Sequence, residues 1–76
     1  MHVDEARQED TKHLAKYFEY DHLPEHLQVI SGDCSVLGER MVDRLPDGLE
    51  LTAGLRKLLE AKDCFVRAAL DVHKES

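Results

Sequence analysis

Apolar positions recur along this chain at helical spacing from end to end, and two prolines punctuate them. Leu27, Ile30, Cys34, Leu37 and Met41 follow one another at steps of 3, 4, 3 and 4, which keeps one stripe of a helix facing a partner. A later run answers it: Leu51, Leu55, Leu58, Lys62, Phe65 and Ala69 hold the same spacing, with a lysine where an aliphatic side chain belongs. Pro24 follows the turn-like YDHL, and Pro46 leads into Asp47-Gly48. Proline is tolerated near a first helical turn because its missing N–H has no partner there. Asp47 followed three residues later by Glu50 predicts a capping box at the start of the last helix. Three helical segments result, at roughly 5 to 20, 24 to 44 and 48 to 73. No strand-like alternation competes with them. The short link at 45 to 48 makes the last two an antiparallel helical hairpin.

A second stripe of small residues, Ser31, Ser35 and Gly38 with Gly32 close by, runs beside the first seam. Small side chains let another helix, or a ligand, approach the backbone closely. The first segment adds little apolar surface beyond Leu14, Tyr17 and Phe18. Either it covers its own hairpin or several copies pack together, and the shortage of core favours assembly.

With 76 residues the chain forms a single helical domain, 1–76, divided into a polar N-terminal segment at 1–16 and a hairpin core at 17–73. The composition, 42% hydrophobic and 34% charged, is that of a folding helical protein. No apolar run approaches the roughly 20 residues of a membrane span, and MHVDEARQED lacks signal-peptide character. The expectation is a soluble, cytoplasmic protein with no membrane partner. Cys34 and Cys64 are too few for a disulfide framework and too sparse for a zinc site, which leaves them as core thiols.

A net charge of −6 argues against duplex nucleic acid. The distribution says more than the total. Residues 1 to 53 carry five Lys/Arg against twelve Asp/Glu, residues 54 to 67 carry four against two, and residues 68 to 76 carry one against two. A compact anion fits that one positive stretch. Within it, Arg56, Glu60, Asp63 and Arg67 step by 4, 3 and 4 and form an ion ladder on one face. Lys62 stands apart, since a buried ammonium must snorkel, pair with a carboxylate or meet a bound anion.

The other notable stretch is YFEYDHLPEH, residues 17 to 26. His22 and His26 lie four apart, but Pro24 interrupts the helix that would align them on a metal, so none is expected. Tyr20, at the helix break, is expected to project and stack on a base or fill an interface. No triad, glycine-rich phosphate loop or paired-carboxylate spacing supports catalysis. Binding without turnover is the expectation, with no cofactor.

Pro46-Asp47-Gly48-x-Glu50-x-Thr52-x-x-Leu55-x-Lys57-Leu58-x-Glu60-Ala61, continuing through Val66-Arg67-Ala68-Ala69, resembles the C-terminal helix of small bacteriophage anti-CBASS sponges, whose hairpin domain is shared with an anti-Thoeris sponge. Phe18-x-Tyr20-x-x-Leu23-Pro24 is similar to that family's aromatic approach to its second helix, so the resemblance covers roughly residues 17 to 70. It implies a homohexamer in the cytoplasm of an infected bacterium that sequesters cyclic di- or trinucleotide immune signals without cleaving them. It further implies that Tyr20 stacks on a base and that Arg67 neutralises phosphate from a neighbouring protomer. A family lysine falls here on or near Ser35, a departure under which either another cation such as Lys62 supplies the charge, or this branch prefers another nucleotide, or the binding function is altered. Lys57 and Thr52 match a motif of unassigned role. The competing expectation is a helical oligomeric protein–protein interaction module without a nucleotide ligand.

Overall fold

A computed structural model describes Val3 and residues 7–75. The described chain is helical: α1 (Glu9–Ala15) runs into a single 3-10 turn (Lys16–Phe18), followed by α2 (Glu25–Arg44) and α3 (Leu49–Glu75). α2 and α3 pack side by side as an antiparallel hairpin, α1 lies on α3, and the 3-10 turn lies on α2.

Proline sets both breaks. Pro24 is the N-cap of α2, and its carbonyl accepts from the Leu27 and Gln28 amides. The Gln28 side-chain amide reaches back to the Leu23 carbonyl at 2.8 Å and steadies the turn. At the other end Leu45 is extended, with φ −119° and ψ 148°, as a residue before proline must be. α3 then starts at Leu49, its first turn closed by Thr52 N–H on the Gly48 carbonyl at 3.1 Å.

The first segment is shorter and more bent than the spacing predicted. Its regular helix ends at Ala15, and Glu19 is already extended. Thr11, Leu14, Ala15 and Phe18, spaced as one helical face, are all buried, with Phe18 fully inside the protein.

Asp47 departs from the capping box. Its Oδ1 accepts from Arg7 Nε at 2.9 Å and Thr11 Oγ1 at 3.1 Å, and its Oδ2 accepts from the Gln8 amide at 3.0 Å. Gln8 is the N-cap of α1, so Asp47 supplies across the fold the bond that an acidic residue in the helix's own first turn makes in a capping box. Arg7 also donates to the Leu45 carbonyl at 2.8 Å, closing the end of α2. One ion pair thus ties the start of α1 to the link of the hairpin.

The buried face of α2 is rotated from the predicted seam. Leu27 and Cys34 are inside as expected, but the small residues Ser31, Ser35 and Gly38 are buried with them, together with Val42, while Leu37 is exposed. The cause is the N-terminal segment, which covers the small-residue side of its own hairpin. Tyr20 shows the closeness of that approach: a Cβ on Gly32 would lie 3.4 Å from its ring. Leu14, Val42, Leu51 and Leu55, one or two from each helix, form the core cluster, with Val3, Met41 and Leu59 packed against it. On the other side an apolar face stays open that includes Leu37 and Phe65 of the predicted seams together with Val72.

Candidate anion-binding site

Where the 3-10 turn crosses α3, a hollow of about 400 Å³ opens between Lys16, Tyr17, Glu19, His22 and Leu23 on one side and Lys62, Asp63, Val66 and Arg67 on the other. The bend after Ala15 creates one wall. The i, i+4 relation of Lys62 and Val66, with Asp63 and Arg67 beside them, creates the other.

Lys62 is held at the floor. Its side chain is 13% exposed, and its ammonium donates to the Tyr17 carbonyl at 3.0 Å and pairs with Asp63 Oδ1 at 3.0 Å. The carbonyl is one that the helix leaves free as it ends, so the lysine completes that terminus with both a hydrogen bond and favourable charge. An ammonium has three N–H donors and two are used. The third is available to an anion.

Arg67 lies at the rim, its Nη2 3.3 Å from Cys64 Sγ, a weak acceptor that leaves most of the guanidinium fork free. Tyr17 supplies the aromatic surface: it is 53% exposed, and the His13 ring meets it at 80° with centroids 5.5 Å apart. Lys16, Lys62 and Arg67 set three fixed positive charges against the carboxylates of Glu19 and Asp63. On a chain of net charge −6, that local excess suits a small anion.

Of the residues singled out in the sequence, the hollow gathers Lys62 and Arg67. Tyr20 lies outside its lining: it is half-buried with its ring over Gly32 and does not project. Ser35 is buried on α2, and Lys57 is exposed on α3 away from the hollow. The ion ladder is not formed as drawn, because Asp63 pairs with Lys62 and Arg67 turns to Cys64. Among the lining residues, Lys16 drew no notice in the sequence, and Tyr17 and His22 were weighed there for packing and for a metal, not for an anion. The YFEYDHLPEH stretch holds the latter two, but choosing Tyr17 over Tyr20 requires knowing where the helix bends.

Two larger hollows lie on the open side of the hairpin and share Leu37 and Leu58. One of about 740 Å³ runs along Met41, Leu45 and Leu49, and one of about 520 Å³ lies between Ile30, Phe65 and Val72. Neither has a cation in its lining, so neither offers an anion a counter-charge. Among the described residues no cluster of His, Cys, Asp and Glu is suited to a metal ion, and no helix is long and apolar enough to cross a membrane. No family model, curated protein or solved structure matches this chain.

Proposed function

We propose that this protein is a stoichiometric trap for cyclic oligonucleotides. It binds a cyclic di- or trinucleotide as a homo-oligomer, a hexamer if it follows the sponge family it resembles, and does not cleave it. In an infected bacterium that capture withholds the immune signal from its receptor.

The observation that carries this reading is the meeting of Lys62, Arg67 and Lys16 with an exposed tyrosine ring at one place on an acidic chain. A cyclic oligonucleotide carries one negative charge per phosphate and a flat face per base. Arg67 engages a phosphate with its planar fork, which stays charged and binds bidentately. Lys62 adds a fixed point charge held by the Tyr17 carbonyl. Tyr17 takes the stacking role that the resemblance assigns to Tyr20. Beyond the Tyr17 phenol, the lining has no hydroxyl or thiol to act as a nucleophile, which fits holding better than turnover.

Thermal-shift screening against cyclic di- and trinucleotides and cyclic ADP-ribose isomers tests the proposal. A specific ligand that raises the melting temperature and is recovered chemically unchanged supports it, and a flat response across the panel overturns it. The open apolar face along Leu37, Phe65 and Val72 favours a second reading, a protein–protein interaction module. That reading predicts the flat response.

A further inference from the structure

Along the open side of α3, Gly54, Leu58, Ala61, Phe65, Ala68 and Val72 recur at steps of 4, 3, 4, 3 and 4, the spacing of a coiled-coil seam. Small and large side chains alternate along it without exception. Four of the six face outward and the other two are half-buried: Phe65 is 55% and Val72 68% exposed, Gly54 and Ala68 are exposed, Leu58 and Ala61 are half-buried, and a Cβ on Gly54 would meet nothing within 4 Å. Its large members border the apolar hollows.

An alternating seam of this kind is complementary to its own reverse. A two-fold axis crossing α3 near Asp63 sets Ala61 against the second copy's Phe65, Leu58 against its Ala68 and Gly54 against its Val72, each twice. Every large side chain then meets a small one, as close helix packing requires. The flanking positions agree. Lys57, Cys64 and Asp71 each precede a large seam residue and are exposed. In the same register Lys57 faces the second copy's Asp71, again twice, and Cys64 faces its own counterpart. A parallel pairing in register would instead set Phe65 on Phe65 and Ala61 on Ala61, large on large and small on small.

The exposed area also fits. The chain presents 5433 Å² to solvent, about 700 Å² more than the ~4,700 Å² expected of a self-contained protein of its mass. A standard interface takes roughly 800 Å² from each partner.

We propose that α3 pairs antiparallel with α3 of a second copy of this chain along the Gly54–Val72 seam. The pairing rests on the assembly half of the proposed function and is independent of its nucleotide half. An isologous contact of this kind closes on itself, so the assembly contains an even number of chains.

The test combines sedimentation mass with cross-linking by a short bismaleimide, on the full chain without nucleotide. The expected result is an even-numbered assembly in which Cys64 links to Cys64 while buried Cys34 is untouched. Phe65→Asp and Ala68→Arg, both at exposed positions, each lower the mass and abolish the link with the helical circular dichroism unchanged. An assembly that forms without the Cys64 link, or that keeps its mass in both variants, overturns this seam while leaving self-association standing. A monomer at every concentration overturns both. The cross-link on the unaltered chain decides the matter even if a variant fails to fold.

Discussion

The Lys62 ammonium donates to the carbonyl oxygen of Tyr17 at 3.0 Å, across 45 positions of sequence. This contact accounts for a cation on an otherwise apolar seam: the aliphatic stem fills the seam while the charge completes a helix terminus. Lys62→Met keeps the stem and removes the donor, and it is expected to cost roughly 1.5–3 kcal/mol, the range for a hydrogen bond to a charged group. Urea denaturation checks this, and unchanged stability would show that the bond contributes nothing.

Asp47 gives the fold an acid-sensitive tie. Desolvation works to raise its pKa from 3.8, but the Gln8 amide, the Thr11 hydroxyl and the Arg7 guanidinium together outweigh it and hold the value lower. The folded pKa is therefore below the unfolded one. The stabilisation is complete above the unfolded value and is lost as pH falls through the folded one. Asp47→Asn should melt below the parent at neutral pH, and the gap should close below about pH 4. A gap constant down to pH 2 would contradict the tie.

The two cysteines should react at different rates. Burial first, and the neighbouring Asp33 second, push the Cys34 thiol up, with Lys62 opposing them only in part. Cys64 is exposed beside Arg67. Native protein is expected to take up one equivalent of iodoacetamide promptly, at Cys64, and a second only after unfolding. Mass spectrometry reads the difference.

Gly32 separates tolerance from crowding. An added Cβ would sit 3.4 Å from the Tyr20 ring, within ordinary contact, while a helix interior gains about 1 kcal/mol on going from glycine to alanine. Gly32→Ala should therefore be neutral or stabilising in thermal melts. Gly32→Leu must displace Tyr20, and a lower melting temperature is expected for it alone.

The helices and their breaks were legible because Pro24 and Pro46 act locally, through a missing N–H and a restricted neighbour. The rotation of α2 was not. Helical spacing marks two adjacent stripes, Leu27–Met41 and Ser31–Gly38, without saying which meets the N-terminal segment, and the bend at Lys16–Phe18 decides that in favour of the small residues. The same bend exchanges Tyr17 for Tyr20 at the site. Lys62 was recognisable as an anomaly from its seam position, but its partner, a backbone carbonyl, leaves no mark in sequence. Asp47 looked like a local cap because the pattern D-x-x-E is local, whereas its partners lie 36 to 40 positions away.

Isothermal titration calorimetry of cyclic di- and trinucleotides, on the parent protein and on Arg67→Ala and Tyr17→Ala, tests the central claim most directly. The account predicts a fixed ligand-to-chain stoichiometry, an affinity at least about tenfold weaker in each variant, which corresponds to ~1.4 kcal/mol per lost contact, and no change in Ser35→Ala. Absence of binding in the parent, or equal binding in Arg67→Ala and Tyr17→Ala, would contradict it.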